Sequence, residues 1–161
     1  MGAERVAEGT SGLWKISHKS LARDEVRPAM RVLFIDPDSA SAERLAMTMP
    51  LRHSTAVETT AHSALVRMQS WIPDLIITEI DLPDANGIDL VAQLRAAPTT
   101  RHTLFILLTA RRSVLDKING FQRGADDYLV KPVSPEQFLL HVRSVSRFRR
   151  LINRPLTGQV L

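Results

Sequence analysis

The chain has no cysteine, which removes disulfides and thiolate metal centres. Its five histidines, His18, His53, His62, His102 and His141, are scattered and lack the spacing of a metal-ligating set. No apolar run approaches the roughly 20 residues that span a bilayer. The opening MGAERVAEGT lacks the apolar core of a secretory signal, so a cytoplasmic protein is expected. No GxxxxGK[ST] pattern and no glycine-rich helix start occurs, which disfavours an enzyme built around a phosphate-bearing cofactor.

What is present is an ordinary globular composition: 161 residues, 44% hydrophobic and 24% charged, enough for one domain with one core. The net charge of +4 and pI near 10.1 suggest nucleic acid until they are divided along the chain. Residues 31–140 hold 11 basic and 13 acidic side chains, whereas residues 141–161 hold five arginines and no acid. The domain itself is mildly acidic and the basicity is C-terminal. Arg143, Arg147, Arg150 and Arg154 fall at helical spacing and form one stripe, read either as a solvated helix end or as a contact for an acidic partner. No helix-turn-helix pattern follows that stripe, so direct DNA readout is not expected.

Residues 1–29 mix Gly, Ser, Thr and charge without periodicity, apart from Leu13-Trp14-Lys15-Ile16, and read as a flexible extension. From Met30 to about residue 152 apolar runs alternate with amphipathic segments, and 153–161 form a tail. The runs are Val32–Ile35, a weak one at Thr55–Val57, Leu75–Ile77, Leu104–Leu108 and Tyr128–Val130. Three of them lack polar alternates, as strands buried on both faces of a parallel sheet do. Helices are predicted at about 38–49, 62–71, 87–97, 111–123 and from 135. The last opens with Ser134 as N-cap, Pro135 at the first helical position and Gln137 completing a capping box. Its stripe of Phe138, Val142, Val145, Phe148 and Ile152 is assigned to the core. Strand–helix alternation of this kind makes an α/β doubly wound sheet, whose chemistry sits beyond the carboxyl ends of its strands.

The residues at those ends are Asp36, Glu79, Thr109 and Lys131. Each has a plain alternative. Asp36 or Asp38 caps the first helix, Thr109 ends a strand, Lys131 is a solvated charge, and Glu79 is a structural partner for Lys131. Topology brings all four to one rim, and that convergence favours a functional site.

The motifs PDLIITEIDLPDANG at 73–87, FILLTA at 105–110 and GADDYLVKPVSPEQF at 124–138 resemble the receiver domains of two-component response regulators, from about Arg31 to Arg147. The resemblance implies a five-stranded flavodoxin-like sheet of order 2-1-3-4-5 and a cis Lys131-Pro132 bond. It implies a signalling domain rather than an enzyme, in which a carboxylate takes a phosphoryl group from a phosphohistidine kinase or a small donor. By position Glu79 is the acceptor, Thr109 the hydroxyl and Lys131 the ammonium, with Tyr128 the aromatic that switches with Thr109. Asp36 and Glu79, with the Asp81 backbone carbonyl, would ligate Mg2+. Partners would be a histidine kinase or a downstream effector, met at the fourth helix, fifth strand and fifth helix. That face also offers a homodimer, although His141 stands where DNA-binding members usually carry arginine.

Two positions depart from the family at its centre. The acceptor is Glu79 where the family has aspartate, and the second metal acid is Pro37. One extra methylene moves the carboxylate by about 1 Å, and such a misplacement can cost on the order of 10²-fold in rate. Proline offers neither charge nor side-chain oxygen to a cation that takes only one or two carboxylates. Phosphorylation-independent action through protein contacts is therefore expected, either with Glu79 paired to Lys131 and Thr109 to fix one state or with a decayed site that no longer switches. Asp81 and Asp84 are weighed as substitute acceptors and read as solvated turn residues. A second class, a haloacid-dehalogenase-like phosphohydrolase with Asp36 as nucleophile and Asp38 as general acid, fits FIDPDS loosely. Its acidic metal motif should follow the lysine, whereas Asp126-Asp127 precede Lys131.

Overall fold

The computed structural model describes residues 29–152; the extension expected before them and the tail expected after them lie outside the described residues. Five strands, β1 (Arg31–Ile35), β2 (Ser54–Glu58), β3 (Leu75–Thr78), β4 (Leu104–Thr109) and β5 (Asp127–Val130), alternate with five helices. These are α1 (Ser39–Ala46), α2 (Ala61–Met68), α3 (Gly87–Ala96), α4 (Val114–Gln122) and α5 (Pro135–Ile152). The strands pair in parallel, as the sequence leads one to expect, and in the order β2-β1-β3-β4-β5 that the resemblance implies.

Every residue of β3 and β4 is buried, which is why neither shows a polar alternate. Side chains leave a strand alternately to its two faces, and this sorts the core into two layers. Val32, Phe34, Ile77 and Leu108 pack with Ala42 of α1 and Phe138 and Val142 of α5. Leu33, Ile35, Ile76 and Leu107 pack with Ala64 of α2 and Val91 and Leu94 of α3. Gly120 sets α4 on the second face, where an added Cβ would meet the Leu107 and Tyr128 side chains. The weak run at 55–57 is the edge strand β2, exposed at Ser54 and Thr55.

The helices are shorter than predicted because local caps decide their ends. Asp38, not Asp36, caps α1 by accepting from the Ser41 amide at 3.1 Å. Ser113 caps α4, so Arg111 and Arg112 stay in the loop. Ala97, which precedes Pro98, turns extended and ends α3. At α5 the capping box forms as read from the sequence: the Gln137 amide donates to Ser134 Oγ at 3.1 Å, and the Ser134 amide donates to Gln137 Oε1 at 3.3 Å. Phe148, assigned to the core, is 65% exposed. The 18-residue α5 is about 27 Å long at roughly 1.5 Å per residue, and it outruns strands of four to six residues.

Arg95 of α3 ties the end of the sheet opposite the candidate site. Its guanidinium donates to the carbonyls of Gly124, Arg101 and Thr103 and to Asp126, and it lies 4.6 Å from the Phe105 ring centroid. Gly124 holds φ at +116°, which side-chain-bearing residues rarely adopt. Removing the fork leaves several carbonyls without their donor. Arg95→Ala is therefore expected to lower stability by about 2–3 kcal/mol in urea unfolding, with Arg95→Lys recovering little because an ammonium cannot reproduce the planar fork.

Candidate functional site

The backbone ladder runs one residue past the strands and sets the site. The Asp36 amide donates to the Glu58 carbonyl at 2.9 Å, the Glu79 amide to Ile35 at 2.9 Å and the Lys131 amide to Thr109 at 2.8 Å. Asp36 shares the strand parity of Phe34, Glu79 that of Ile77 and Lys131 that of Leu129, so all three turn toward the layer of α1 and α5. The Lys131-Pro132 bond that follows is cis.

Lys131 Nζ lies 2.7 Å from Asp36 Oδ2 and 2.9 Å from Glu79 Oε2, an ammonium shared between two carboxylates. Asp36 and Glu79 are 7% and 8% exposed, so water does little to screen the three charges. The remaining oxygens are also engaged. Asp36 Oδ1 accepts from the Asp38 amide at 2.9 Å, and Glu79 Oε1 accepts from the Ile80 amide at 2.7 Å. Burial alone would lower the pKa of Lys131, but its hydrogen bonds to Asp36 and Glu79 outweigh burial and hold it above the ordinary lysine value. Gly87 closes the loop from behind, where a Cβ would collide with the Glu79 carbonyl.

Thr109 does not join this pair. It is fully buried, its Oγ1 accepts from the Arg111 amide at 3.2 Å, and it shares the parity of Leu107, whose side chain belongs to the other layer. The expected Glu79–Thr109 bond is therefore replaced by a cap on the loop between β4 and α4. Tyr128 holds the same loop from below: it is 8% exposed and its hydroxyl donates to the Arg111 carbonyl at 2.9 Å. Burial raises its pKa.

The acids after β3, Asp81 and Asp84, are exposed turn residues as expected, and each also has a distant partner. Asp81 is forked by Arg111 at 2.9 and 2.5 Å, which lowers its pKa and raises that of Arg111. Asp84 accepts from the Ala61 and His62 amides, both at 2.9 Å, and so caps α2; those bonds lower its pKa. The signal for Arg111 was opposite charge just beyond two neighbouring strands, three residues after β3 and two after β4. The Arg111–Asp81 pair is exposed and so should weaken with salt. Amide exchange at residues 110–113 is expected to speed up in Arg111→Ala, and in the unsubstituted protein as salt is raised.

A magnesium ion does not fit this donor set. Pro37 supplies no side-chain oxygen and the Asp81 carboxylate is committed to Arg111, so only Asp36 and Glu79, bridged by Lys131, are left for an ion that demands near-ideal octahedral oxygen ligation. Among the described residues no group of three or more His, Asp or Glu side chains is placed to hold a metal. The phosphohydrolase arrangement fares no better: Asp38 is a helix cap, Asp126 binds Arg95 and the Phe105 amide, and Asp127 pairs with His141 at 2.6 Å. Arg143 and Arg147 lie exposed on α5, while the Arg150 side chain and Arg154 fall outside the described residues.

The response regulator receiver domain family matches residues 32–143, and the chain belongs to that family. Receiver domains work in two-component signalling with histidine kinases and effectors. The chain is 32% identical over 127 residues to the transcriptional regulatory protein TrcR of Mycobacterium tuberculosis, covering 78% of this chain and 49% of TrcR. It is 36% identical over 128 residues to the DNA-binding response regulator MtrA of the same organism, covering 78% and 53%. The chain thus spans about half the length of these curated relatives. Among solved structures, the chemotaxis response regulator CheY4 of Vibrio cholerae matches with a TM-score of 0.67 and 26% identity, over 74% of this chain and 99% of that one. A two-component response regulator from Clostridium difficile gives a TM-score of 0.67 and 26% identity, over 73% and 95%. No described helix is long and apolar enough to cross a membrane.

Proposed function

We propose that this receiver domain works without phosphorylation, holding one state through the Asp36–Lys131–Glu79 cluster and acting by contact with other signalling proteins. The observation that carries this reading is Lys131 Nζ at 2.9 Å from Glu79 Oε2: the ammonium that would meet a phosphoryl oxygen is met by the chain's own carboxylate. Glu79 stands in for the charge, and Pro37 removes the need for a cation. Substitute acceptance at Asp81 or Asp84 is disfavoured, because one carboxylate is forked by an arginine and the other caps a helix. The function is binding, not turnover.

The partner surface is the face of α4, β5 and α5 around Tyr128. Val114, Leu115 and Ile118 stand 68%, 76% and 47% exposed on α4, an apolar stripe suited to a protein partner. Replacing Glu79 by alanine leaves Lys131 held by Asp36 alone and tests the link from the cluster to that face. Amide NMR of Glu79→Ala is expected to shift signals at residues 109–113 and at Tyr128. Shifts confined to the immediate neighbours of residue 79 would sink the idea that the cluster fixes the outer face.

A further inference from the structure

Beside the cluster, under α1 and the start of α5, lies a cavity of about 510 Å³, within the roughly 300–1,000 Å³ of small-molecule sites. Its floor is Phe34, Ile77 and Leu108, and its walls include Ala42, Leu45 and Val133. Buried Asp36 and Glu79, with Lys131, also line it, as does the exposed Arg44. The phosphorylation-independent reading leaves this space without a role.

We propose that the cavity binds a small molecule with an apolar body of aromatic size and a cationic amine head. The apolar floor and walls select the body. The head is selected by charge: two carboxylates about nine-tenths buried share one ammonium, so this part of the lining carries one negative charge in excess. Arg44 would favour an anion, but it is exposed, and its guanidinium donates to Ser41 Oγ, itself bonded to Asp38. Water screens that charge far more than it screens the buried pair, so the buried pair decides the sign. An amine there hydrogen-bonds to lone pairs of Asp36 and Glu79 that Lys131 leaves open, because each carboxylate oxygen accepts more than one donor. The site stands whether or not Glu79 accepts a phosphoryl group.

The test is an amide NMR titration of the full chain with 2-phenylethylamine, and with 3-phenylpropionate as an anion of similar body. The amine is expected to give saturable shifts at Asp36, Leu45 and Val133, with the carboxylate weaker by about tenfold or more. Ala42→Leu fills the cavity and should abolish those shifts; Leu45→Gln, at a half-buried wall position, guards against a folding failure of the first variant. Absence of saturable shifts, equal binding of the two probes, or binding that persists in both variants overturns the proposal. Binding gained only in Trp14→Ala assigns the cavity to the chain's own Leu13–Ile16 segment and overturns it as well.

Discussion

The double substitution Pro37→Asp with Glu79→Asp is expected to convert the protein into a phosphoryl acceptor. Incubated with acetyl phosphate and magnesium, the variant should gain one phosphoryl mass. The two departures act on the same site by different routes. Shortening residue 79 by a methylene withdraws its carboxylate from Lys131, where it now sits 2.9 Å from Nζ, and recovers on the order of 10²-fold in rate from placement alone. Aspartate at position 37 adds the oxygen donor that proline cannot supply. Either change alone is expected to leave acceptance slow, because the missing metal ligand and the carboxylate placement are then corrected only in part. The scaffold around the site tolerates the exchange. Glu79 Oε1 is held by the Ile80 amide, a local contact that the shorter side chain can keep, and the Lys131 backbone is anchored by its amide to the Thr109 carbonyl at 2.8 Å.

The second large effect is on stability. Lys131→Met leaves Asp36 and Glu79 facing each other without a cation, 7% and 8% exposed. Removing one partner of a fully buried ion pair costs about 3–5 kcal/mol. The Lys131 side chain is 27% exposed, so a loss of about 2–3 kcal/mol in urea unfolding at neutral pH is expected. Adding Glu79→Gln to Lys131→Met should restore much of it by removing the repulsion. The pH dependence has a definite sign. Hydrogen bonds to Asp36 and Glu79 hold the ammonium above its ordinary value against burial. Its contribution is therefore complete below the unfolded value, about 10.4, and is lost as pH rises through the raised folded value. The gap between the unsubstituted protein and Lys131→Met should be constant from pH 7 to 9 and close above about pH 10.4. A gap that widens there contradicts the assignment.

Much of this was legible in the chain. Near-continuous apolar runs gave β1, β3 and β4 because both faces of those strands are covered, and Ser134, Pro135 and Gln137 gave the start of α5 because the capping box is local chemistry. The strand ends gave Asp36, Glu79 and Lys131 because parallel topology sends every carboxyl end to one rim. Face parity could also have been read: Asp36, Glu79 and Lys131 each lie two residues after a side chain of the α1/α5 layer, whereas Thr109 lies two after Leu107 of the other layer. That alternation, not the family pattern, explains why the threonine caps a loop and leaves the glutamate alone. Asp81 and Asp84 are solvated turn residues as read, but their partners were missed because Arg111 and the first turn of α2 are 30 and 22–23 residues away in sequence. Nothing local in an acidic turn announces a distant guanidinium. Phe148 was misassigned because a periodic stripe does not say where the sheet beneath it stops.

Intact mass of the unsubstituted protein after incubation with acetyl phosphate and magnesium tests the central claim most directly. An unchanged mass is the result expected of a pocket whose lysine is already held by Asp36 and Glu79. A stoichiometric phosphoryl adduct mapped to Glu79 would contradict it.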